Sequence, residues 1–392
     1  MPYARTLAIG VLLLVPFLQG ACGSGGSAGG GDVDDPGDVG DLPPPGPPTA
    51  PGVKYEMWLD PSRFRGFNIN YWNYGTGEKT LADFQALKDT GATVAQIQSN
   101  VGTRHWAPPY GPQQQGIDDL DAMVGFCRRV GLQYVIAVRS GPGRRPVDME
   151  ARDTIWENTN EEQLYGAMLR DDIVARYHLD PLFVGINVMV EPNPFNVELA
   201  NGTIDGPGEL STAMAARGID VNGMMRTFIA KIRTVDPTLP VIVQSVGWSD
   251  PAFWSLLEKM PDDYVVYDFH TYSPRDYTHP DCAAPNCGGL GYPGTYDGTS
   301  WNRTHLETVH MAEVIAFQAA HDVPILMGEF GMEYPQSGGI QFLSDHADIA
   351  VARGWHFILW NFRSDTRDPS TLNFDYEKWP AGYWTEILGW FD

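Results

Sequence analysis

Residues 183–192 have the sequence FVGINVMVEP, an almost uninterrupted apolar run that ends at Glu191 and Pro192. Such runs are typical of parallel β-strands, because these strands are buried on both faces of their sheet. Comparable stretches occur along the chain at 64–69, 93–98, 133–139, 240–246, 264–269, 324–328 and 355–361. The sequence therefore contains eight candidate strands.

Helical patterns lie between these strands. The clearest is 117–130, where apolar residues recur at helical spacing and Gly131 follows as a C-cap. Other candidate helices lie at 80–90, 161–176, 222–234, 304–321 and 339–353. Eight strands, each followed by a helix or a long connection, predict an α/β fold, a single (β/α)8 TIM barrel over residues 54–392. A doubly wound open sheet is the alternative, but it often has a Gly-rich phosphate loop after its first strand, and residues 64–72 contain none.

Composition restricts the class of ligand. The chain has 392 residues, 43% of them hydrophobic, which supports one large core. Its formal net charge of −23 repels phosphate backbones and disfavours nucleic acid as a partner. A neutral polysaccharide meets no such repulsion, and twelve Trp and seventeen Tyr residues offer flat faces for sugar rings. We therefore expect a polysaccharide or oligosaccharide partner and a monomeric protein.

The first 53 residues are predicted to carry targeting signals and a tether. Arg5 precedes an apolar run at 7–18 that is too short to span a membrane, as in a signal peptide over 1–21. Gly20-Ala21-Cys22 resembles the cleavage motif of bacterial lipoproteins, which predicts a lipid anchor on Cys22; ordinary signal cleavage nearby is the alternative. Both predict a secreted or cell-surface protein. Residues 22–53, rich in Gly, Ser, Asp and Pro, are predicted to be a disordered tether.

The remaining cysteines give two further expectations. Cys282 and Cys287 lie in a loop rich in Asp, Pro, Asn and Gly, which favours a local disulfide in an oxidising compartment. Cys127 falls within the helical pattern at 117–130 and is predicted to be a buried free thiol. The sequence has no CxxC pair, and we expect neither a metal nor another cofactor.

Candidate catalytic side chains stand where predicted strands end, which is where barrels of this class place their active sites. Glu191 follows the fourth strand, His270 and Tyr272 end the sixth, and Glu329 ends the seventh. Glycoside hydrolysis needs two carboxyl groups, one protonated to assist the leaving oxygen and one ionised to attack the anomeric carbon. Carboxylates on the fourth and seventh strands would face each other across the barrel mouth, so the pattern indicates this chemistry.

These segments resemble glycoside hydrolase family 5, a cellulase-like family in the larger clan A of (β/α)8 barrels. The resemblance covers about residues 54–392 and is carried by VEP (190–192), DFHTYSP (268–274), MGEFG (327–331) and WHFILWN (355–361). It implies a retaining β-glycosidase, with Glu191 as acid/base and Glu329 as nucleophile. It further implies that His270 and Tyr272 support catalysis and that Trp360 lies in the sugar subsite.

The chain departs from the family pattern at three inner positions. Val190 stands where the family has an Asn that binds the sugar 2-hydroxyl, and Gln96 stands where it has an Arg beneath the nucleophile. Arg139 or Ser140 replaces a His near the end of the third strand. Arg139 could supply the missing positive charge from a neighbouring strand. Among nearby Asn residues, Asn193 could supply the missing sugar contact. Trp72 and Trp248, in predicted strand-to-helix loops, are further candidate sugar platforms, and Gln96 and Arg139 are also candidate substrate-binding residues.

Two other functions fit the sequence less well. The altered inner positions would also suit a catalytically weak or inactive barrel that binds carbohydrate at the cell surface. A metal-dependent amidohydrolase is disfavoured, because Asn68-Ile69-Asn70 stands where a His-x-His motif would end the first strand. Among glycosidase substrates, β-glucan, β-mannan and other β-linked polymers are all compatible with the sequence, as are endo and exo action.

The tether gives a first testable prediction. Deleting residues 1–52 should leave a soluble and fully active domain, because this segment contributes neither core residues nor strand ends. Circular dichroism and activity of the truncated chain, compared with the full chain, would check this. A truncated chain that failed to fold would reveal a structural role for the segment.

Overall fold

The computed structural model describes residues 44–70, 72–73, 77–99, 114–139, 154–280, 285, 289–363 and 373–391. The signal peptide, Cys22, most of the tether, and the pair Cys282 and Cys287 lie outside these residues, so the expectations for them stay predictions. For Trp72 only the backbone is described. No helix in the described ranges is long and apolar enough to cross a bilayer.

Eight parallel strands close into a barrel in which neighbours in sequence are neighbours in space. The last strand pairs with the first, with Gly66 in register with Ile358. The barrel strands, numbered β1–β8, are Arg65–Asn70, Val94–Ser99, Gln133–Val138, Phe183–Asn187, Val241–Gln244, Val265–Thr271, Ile325–Phe330 and His356–Leu359. Two short hairpins, Trp72–Asn73 with Gly77–Glu78 and Gly294–Tyr296 with Thr299–Trp301, lie outside it. The predicted TIM barrel and its eight strands are confirmed.

Helices connect the strands. In the described parts of the chain α1–α13 are Val53–Leu59, Leu81–Asp89, Gln114–Val130, Thr159–Met168, Ala175–Tyr177, Asn196–Ala200, Pro207–Arg217, Val221–Arg233, Arg275–Thr278, Arg303–His305, Ala312–His321, Gly339–Arg353 and Ala381–Gly389. Each predicted helix is found, but those at 161–176 and 304–321 contain π-helical segments, Leu169–Val174 and Leu306–His310. The sequence patterns did not predict five helices, in which the apolar periodicity is too short or too weak: α1, α6, α7, α9 and α13.

The main core lies between the barrel and these helices. Cys127 of α3 belongs to it as a fully buried free thiol, as predicted, and burial raises the pKa of its sulfur well above the ordinary value.

A second apolar cluster fills the lower end of the barrel. Trp58 of α1 packs into it and donates from Nε1 to the carbonyl oxygen of Val184, 2.8 Å away. Every strand, or the residue before it, contributes one side chain: Phe64, Val94, Val135, Val184, Ile242, Val266, Leu326 and Ile358. His356 links α1 to the start of β1, since its Nδ1 accepts from the Phe64 N–H and its Nε2 lies 2.9 Å from the Trp58 carbonyl oxygen. Helix α1 therefore acts as the floor of the barrel.

A polar layer lies above this floor. Gln244 and Asp268 each stand two residues beyond a floor residue, Ile242 and Val266, because side chains on one face of a strand recur with a period of two. The centre of the layer is Asp268, which is completely buried. The Asp268 carboxylate accepts from Asn187 Nδ2 at 3.0 Å, Gln244 Nε2 at 2.5 Å and the Gly328 N–H at 2.8 Å. Position 328 requires glycine, since a Cβ there would lie 2.3 Å from Asp268 Oδ1. This layer joins β4, β5, β6 and β7 directly beneath the barrel mouth.

Replacing Asp268 by Asn should destabilise the protein by about 2–4 kcal/mol, because three donors would then face a group with a single acceptor oxygen. Urea denaturation measures this loss. The matched control is Glu258→Gln, which breaks an exposed pair with Arg226 and should cost about 1 kcal/mol or less. Equal losses in the two variants would contradict the central role of Asp268.

Burial also sets the protonation state of two histidines. His346 and His356 are at most 1% exposed, and burial lowers the pKa of each from 6.5 to about 4. The unfolded chain takes up protons on these rings near pH 6.5, whereas the folded protein does so only near pH 4. The folded state therefore keeps its full stability with respect to these two neutral rings above pH 6.5, and it loses stability as the pH falls toward 4.

Between about pH 6 and 4.5, the free energy of unfolding should fall by up to about 1.4 kcal/mol per pH unit for each histidine. Urea denaturation across this range measures the slope. His356→Gln should remove one histidine's contribution to it. Val184→Ala, in the same cluster, should lower stability equally at every pH, and a slope that His356→Gln left unchanged would contradict the assignment.

Candidate active site

Glu191 stands at the barrel mouth, four residues after β4 ends at Asn187. Its φ is +51°, in the left-handed region that non-glycine residues rarely adopt. The Glu191 N–H donates to Gln244 Oε1 at 2.5 Å, so β5 holds this backbone in place. Residues held in such conformations cluster at functional sites. The local geometry turns the Glu191 side chain toward the barrel axis, where it meets His270.

Glu329 reaches the same space by a different route. Strict alternation along β7 would direct Glu329 outward, because Leu326 and Gly328 face the interior. The pairing of β7 with β6 shifts between Met327 and Glu329, an irregularity of the kind that re-aims a side chain. Glu329 is 2% exposed. Tyr272 donates from its hydroxyl to Glu329 Oε2 at 3.0 Å.

His270 lies between the two glutamates. Its Nδ1 is 3.0 Å from Glu191 Oε1 and 3.6 Å from Glu329 Oε2. On the other side of the ring, Nε2 lies 2.8 Å from Gln244 Nε2 and 3.6 Å from Asp268 Oδ2. In the neutral ring Nε2 accepts from Gln244, and the Asp268 carboxylate lies close enough to offset a positive charge on the ring. Burial lowers the pKa of His270, but the negative charges of Glu329, Asp268 and Glu191 more than offset it and raise the pKa to about 10.

The same surroundings act on the two groups beside His270. The pKa of Glu329 is raised, chiefly by burial and further by the charge of Glu191, while Arg139, His270 and the Tyr272 hydrogen bond offset part of that rise. Burial and the charges of Glu329 and Glu191 raise the pKa of Tyr272 well above its ordinary value, so the phenol stays a hydrogen-bond donor.

Arg139, directly after β3, is the cation of the site. Its Nη2 donates to Glu329 Oε1, its Nη1 lies 3.7 Å from Glu191 Oε2, and its Nε donates to Gln98 Oε1 at 3.1 Å. Its guanidinium carbon lies 4.5 Å from the ring centroid of Trp360, which is half-buried. The structure thus brings to the two glutamates the positive charge that the sequence could only suggest.

One oxygen of Glu191, one of Glu329 and a ring nitrogen of His270 lie within 4.8 Å of one another. Three such groups are potential metal ligands. A divalent cation among them would lie beside the guanidinium of Arg139, which already pairs with both carboxylates. Charge repulsion therefore disfavours a metal here, and the arrangement is better suited to proton transfer and nucleophilic attack.

Other candidates from the sequence lie elsewhere. Gln96 is completely buried and donates to Asn68 Oδ1 at 2.8 Å, so it lies in the polar layer of the barrel and not among the substrate-binding residues as predicted. Its side chain is one layer too low, and Gln98, two residues on, takes the place beside Glu329, with Nε2 3.4 Å from Oε1. Asn193 is 6% exposed, and its amide has no hydrogen-bond partner among the described residues.

Trp248 is half-buried in a run of three left-handed residues, from Gly247 to Ser249. Its Nε1 donates to Asn196 Oδ1 at 2.9 Å, which ties the loop after β5 to the loop that carries Glu191. A Cβ at position 247 would lie 2.4 Å from the ring of Phe253, so glycine is required there. Trp248 is thus held at the mouth, as a sugar platform would need. Trp72 lies in the first hairpin, with its side chain outside the described residues.

The sequence patterns did not predict three residues of the site, Gln98, Gln244 and Asp268. Each is a polar residue in a strand whose residues are all buried. Asp268 precedes His270 by two residues, and Gln98 follows Gln96 by two, so the period of two places each pair on one face. A polar residue at a position of a strand that the period of two directs into the barrel could therefore have been predicted to belong to the site.

Comparison with known proteins identifies the family of the chain. The model of the family "Cellulase (glycosyl hydrolase family 5)" matches residues 55–366. Endoglucanase C of Acetivibrio thermocellus is 25% identical over 265 residues, which are 63% of this chain and 66% of that protein. The match thus spans slightly less than two thirds of that relative's length.

Solved structures share the fold. Endoglucanase Cel5A of Thermotoga maritima has a TM-score of 0.62 at 17% identity, covering 86% of this chain and 100% of that chain. That protein has also been solved with cellobiose and with mannotriose. The cellulose synthase subunit Z of Clostridioides difficile has a TM-score of 0.60 at 15% identity, covering 84% and 99% of the two chains. With a family model matched over most of its length, the chain belongs to glycosyl hydrolase family 5.

Proposed function

We propose that the chain is a retaining β-glycosidase that hydrolyses a β-glucan, with Glu191 as acid/base and Glu329 as nucleophile. The observation that carries the proposal is the approach of the two glutamates, whose oxygens come within 4.8 Å of each other. Retaining enzymes hold their carboxyl groups about 5–5.5 Å apart, whereas inverting enzymes need about 6.5–9.5 Å to admit a water molecule. The observed spacing favours direct attack by one carboxylate.

In the first step, Glu329 Oε attacks the anomeric carbon as the glycosidic C–O bond breaks. Glu191 gives its proton to the departing oxygen, so a neutral sugar hydroxyl leaves and a glycosyl ester on Glu329 remains. In the second step, Glu191 takes a proton from water, and the water oxygen attacks the same carbon to release Glu329. Two inversions return the anomeric centre to its original configuration.

The surrounding side chains fit these roles. The Tyr272 hydroxyl donates to the Glu329 oxygen that does not face Arg139, which leaves the carboxylate ordered. His270 lies 3.0 Å from Glu191 Oε1 and can follow the change of charge on that residue between the two steps. Trp360, half-buried beside Arg139, offers an aromatic ring for the sugar that is cleaved.

The substrate class is inferred from relatives and charge. Endoglucanase C of Acetivibrio thermocellus, named for internal cleavage of glucan, supports a β-glucan and endo action. A neutral polymer also suits a chain of net charge −23. Products of cellohexaose, mannohexaose and mixed-linkage glucan, separated by length, would test this. Release only of single terminal sugars would contradict endo action, and cleavage of mannan alone would contradict the glucan assignment.

We further propose that the enzyme is exported and held at the cell surface through Cys22, on the strength of its N-terminal sequence. The full chain should then sediment with membranes, whereas the chain without residues 1–52 should stay in the supernatant.

The two glutamates can be told apart by mutation. Glu191→Ala should abolish cleavage of the polymer, because a basic oxygen must be protonated as it leaves. It should still release a burst of dinitrophenol from a dinitrophenyl β-glycoside, whose leaving group needs no acid, and then turn over slowly for lack of a base. Azide should speed that turnover and yield the β-glycosyl azide. Stopped-flow absorbance and NMR of the product measure both effects.

Glu329→Ala should show no burst on either substrate, because no glycosyl ester can form. Azide can rescue it only by a single inversion, to the α-azide. If the two variants exchanged these behaviours, the roles of the glutamates would be reversed. If both variants kept full activity on the polymer, the catalytic assignment would be wrong.

A further inference from the structure

We infer that Arg139, supplied by the third barrel strand, is a positioning residue that keeps the nucleophile Glu329 ionised and aimed. The inference rests on the proposed function, since it concerns the same reaction. It goes beyond that proposal by assigning the electrostatic control of the nucleophile to a side chain outside the family pattern, together with its neutral partner Gln98.

The need for a cation follows from burial. Glu329 is 2% exposed, and a carboxylate removed from water resists ionisation unless charge or hydrogen bonds offset the loss of solvation. A protonated carboxyl group cannot attack an anomeric carbon. Among the described residues, Arg139 is the only arginine or lysine that pairs with Glu329. The adjacent strand β2 offers an uncharged amide at this level, Gln98, and a second one layer below it, Gln96.

Three contacts fix the guanidinium of Arg139. Its Nε donates to Gln98 Oε1 at 3.1 Å, and its Nη2 donates to Glu329. Its carbon lies 4.5 Å from the centre of the Trp360 ring. Gln98 in turn directs its Nε2 to Asn68 Oδ1 at 2.5 Å, which anchors it to the polar layer of the barrel. Gln98 thus bridges Arg139 to the scaffold, and the flat, forked guanidinium suits this position better than an ammonium would.

Arg139 and His270 each lie closer to a different glutamate. His270 contacts Glu191 more closely than Glu329, at 3.0 Å against 3.6 Å, whereas Arg139 contacts Glu329 more closely than Glu191. An imidazole can lose its charge during the reaction, but a guanidinium keeps its charge at any working pH. The permanent cation therefore lies on the nucleophile and the titratable one on the acid/base. This arrangement suits a reaction in which Glu191 must change protonation state and Glu329 must not.

Two simpler roles for Arg139 predict different results. If it only bound sugar through its place over Trp360, its removal would weaken substrate binding and leave the pH dependence of the chemistry unchanged. If it only stabilised the fold, its removal would lower the melting temperature and again leave that pH dependence unchanged. A change in the ionisation of the nucleophile is expected only from the role inferred.

The experiment follows the rate at which 2,4-dinitrophenyl 2-deoxy-2-fluoro-β-cellobioside labels the full chain, measured by intact mass as a function of pH. The probe forms a bond from Glu329 to the anomeric carbon and expels dinitrophenolate, which leaves with its electron pair and takes no proton. Glu191 is therefore not required as an acid, and the pH midpoint of labelling reports the ionisation of the nucleophile. The matching mannobioside serves as a second probe.

In Arg139→Gln the midpoint should rise by about 1–3 pH units, the usual effect of an adjacent arginine on a carboxyl group. Arg139→Lys should show a smaller rise, because it keeps the charge but not the forked contact. Gln98→Leu should also raise the midpoint, because Arg139 loses its anchor. The matched control is Arg353→Gln, which breaks an exposed pair with Glu307 and should leave the midpoint unchanged.

The outcomes distinguish failure of the proposed function from failure of the role assigned to Arg139. If the wild type gains no label from either probe, the proposed function fails. If the wild type is labelled but Arg139→Gln keeps the wild-type midpoint, the inference about Arg139 is wrong, however slow the labelling becomes. Should Arg139→Gln fail to fold, Arg139→Lys and Gln98→Leu decide the matter, and unchanged midpoints in both would overturn the inference.

Discussion

Carboxylates that approach one another away from water are stable only where cations and hydrogen-bond donors offset their charge, and the mouth of this barrel is organised around that constraint. Glu191, Glu329 and Asp268 all lie within 3.6 Å of a single imidazole, that of His270. Arg139 adds a second cation, and Tyr272 and Gln244 add donors. The positions of these side chains are mutually dependent, since the removal of one would leave a buried charge without its partner.

The barrel meets this requirement by stacking layers of different chemistry. The floor is apolar and is closed by Trp58 from outside the strands. The middle layer is polar, and Asp268 joins four strands within it. The third layer carries the charged groups of the site. On β6, Val266, Asp268 and His270 follow one another at intervals of two, one in each layer, so the pairing that fixes the strand also fixes the height of each of these side chains.

The site depends equally on departures from regular structure. Glu329 faces the mouth only because the pairing of β6 and β7 shifts beside Gly328, and Glu191 does so from a left-handed backbone held by Gln244. Trp248 stands in a left-handed turn that only Gly247 can begin, because of the ring of Phe253. Regular strands position the supports, while irregular backbone positions the groups that would meet the substrate.

The sequence by itself determined the fold and the main elements of the site. Eight apolar strands alternating with helices predicted the barrel, since a strand buried on both faces must be apolar and a period of two or 3.6 is readable along the chain. The strand ends predicted that Glu191, His270, Tyr272 and Glu329 would converge, since parallel strands of a barrel all end at one rim.

What the tertiary structure alone decided was which polar residue fills which place. Sequence position could not show that Gln96 lies one layer below the glutamates while Gln98 contacts Glu329, because that depends on the stagger between neighbouring strands. Nor could it show that Arg139 reaches across from β3 to both carboxylates and to Trp360. Periodicity is local and is written in the chain, whereas the distance between side chains of different strands is fixed only when the barrel closes.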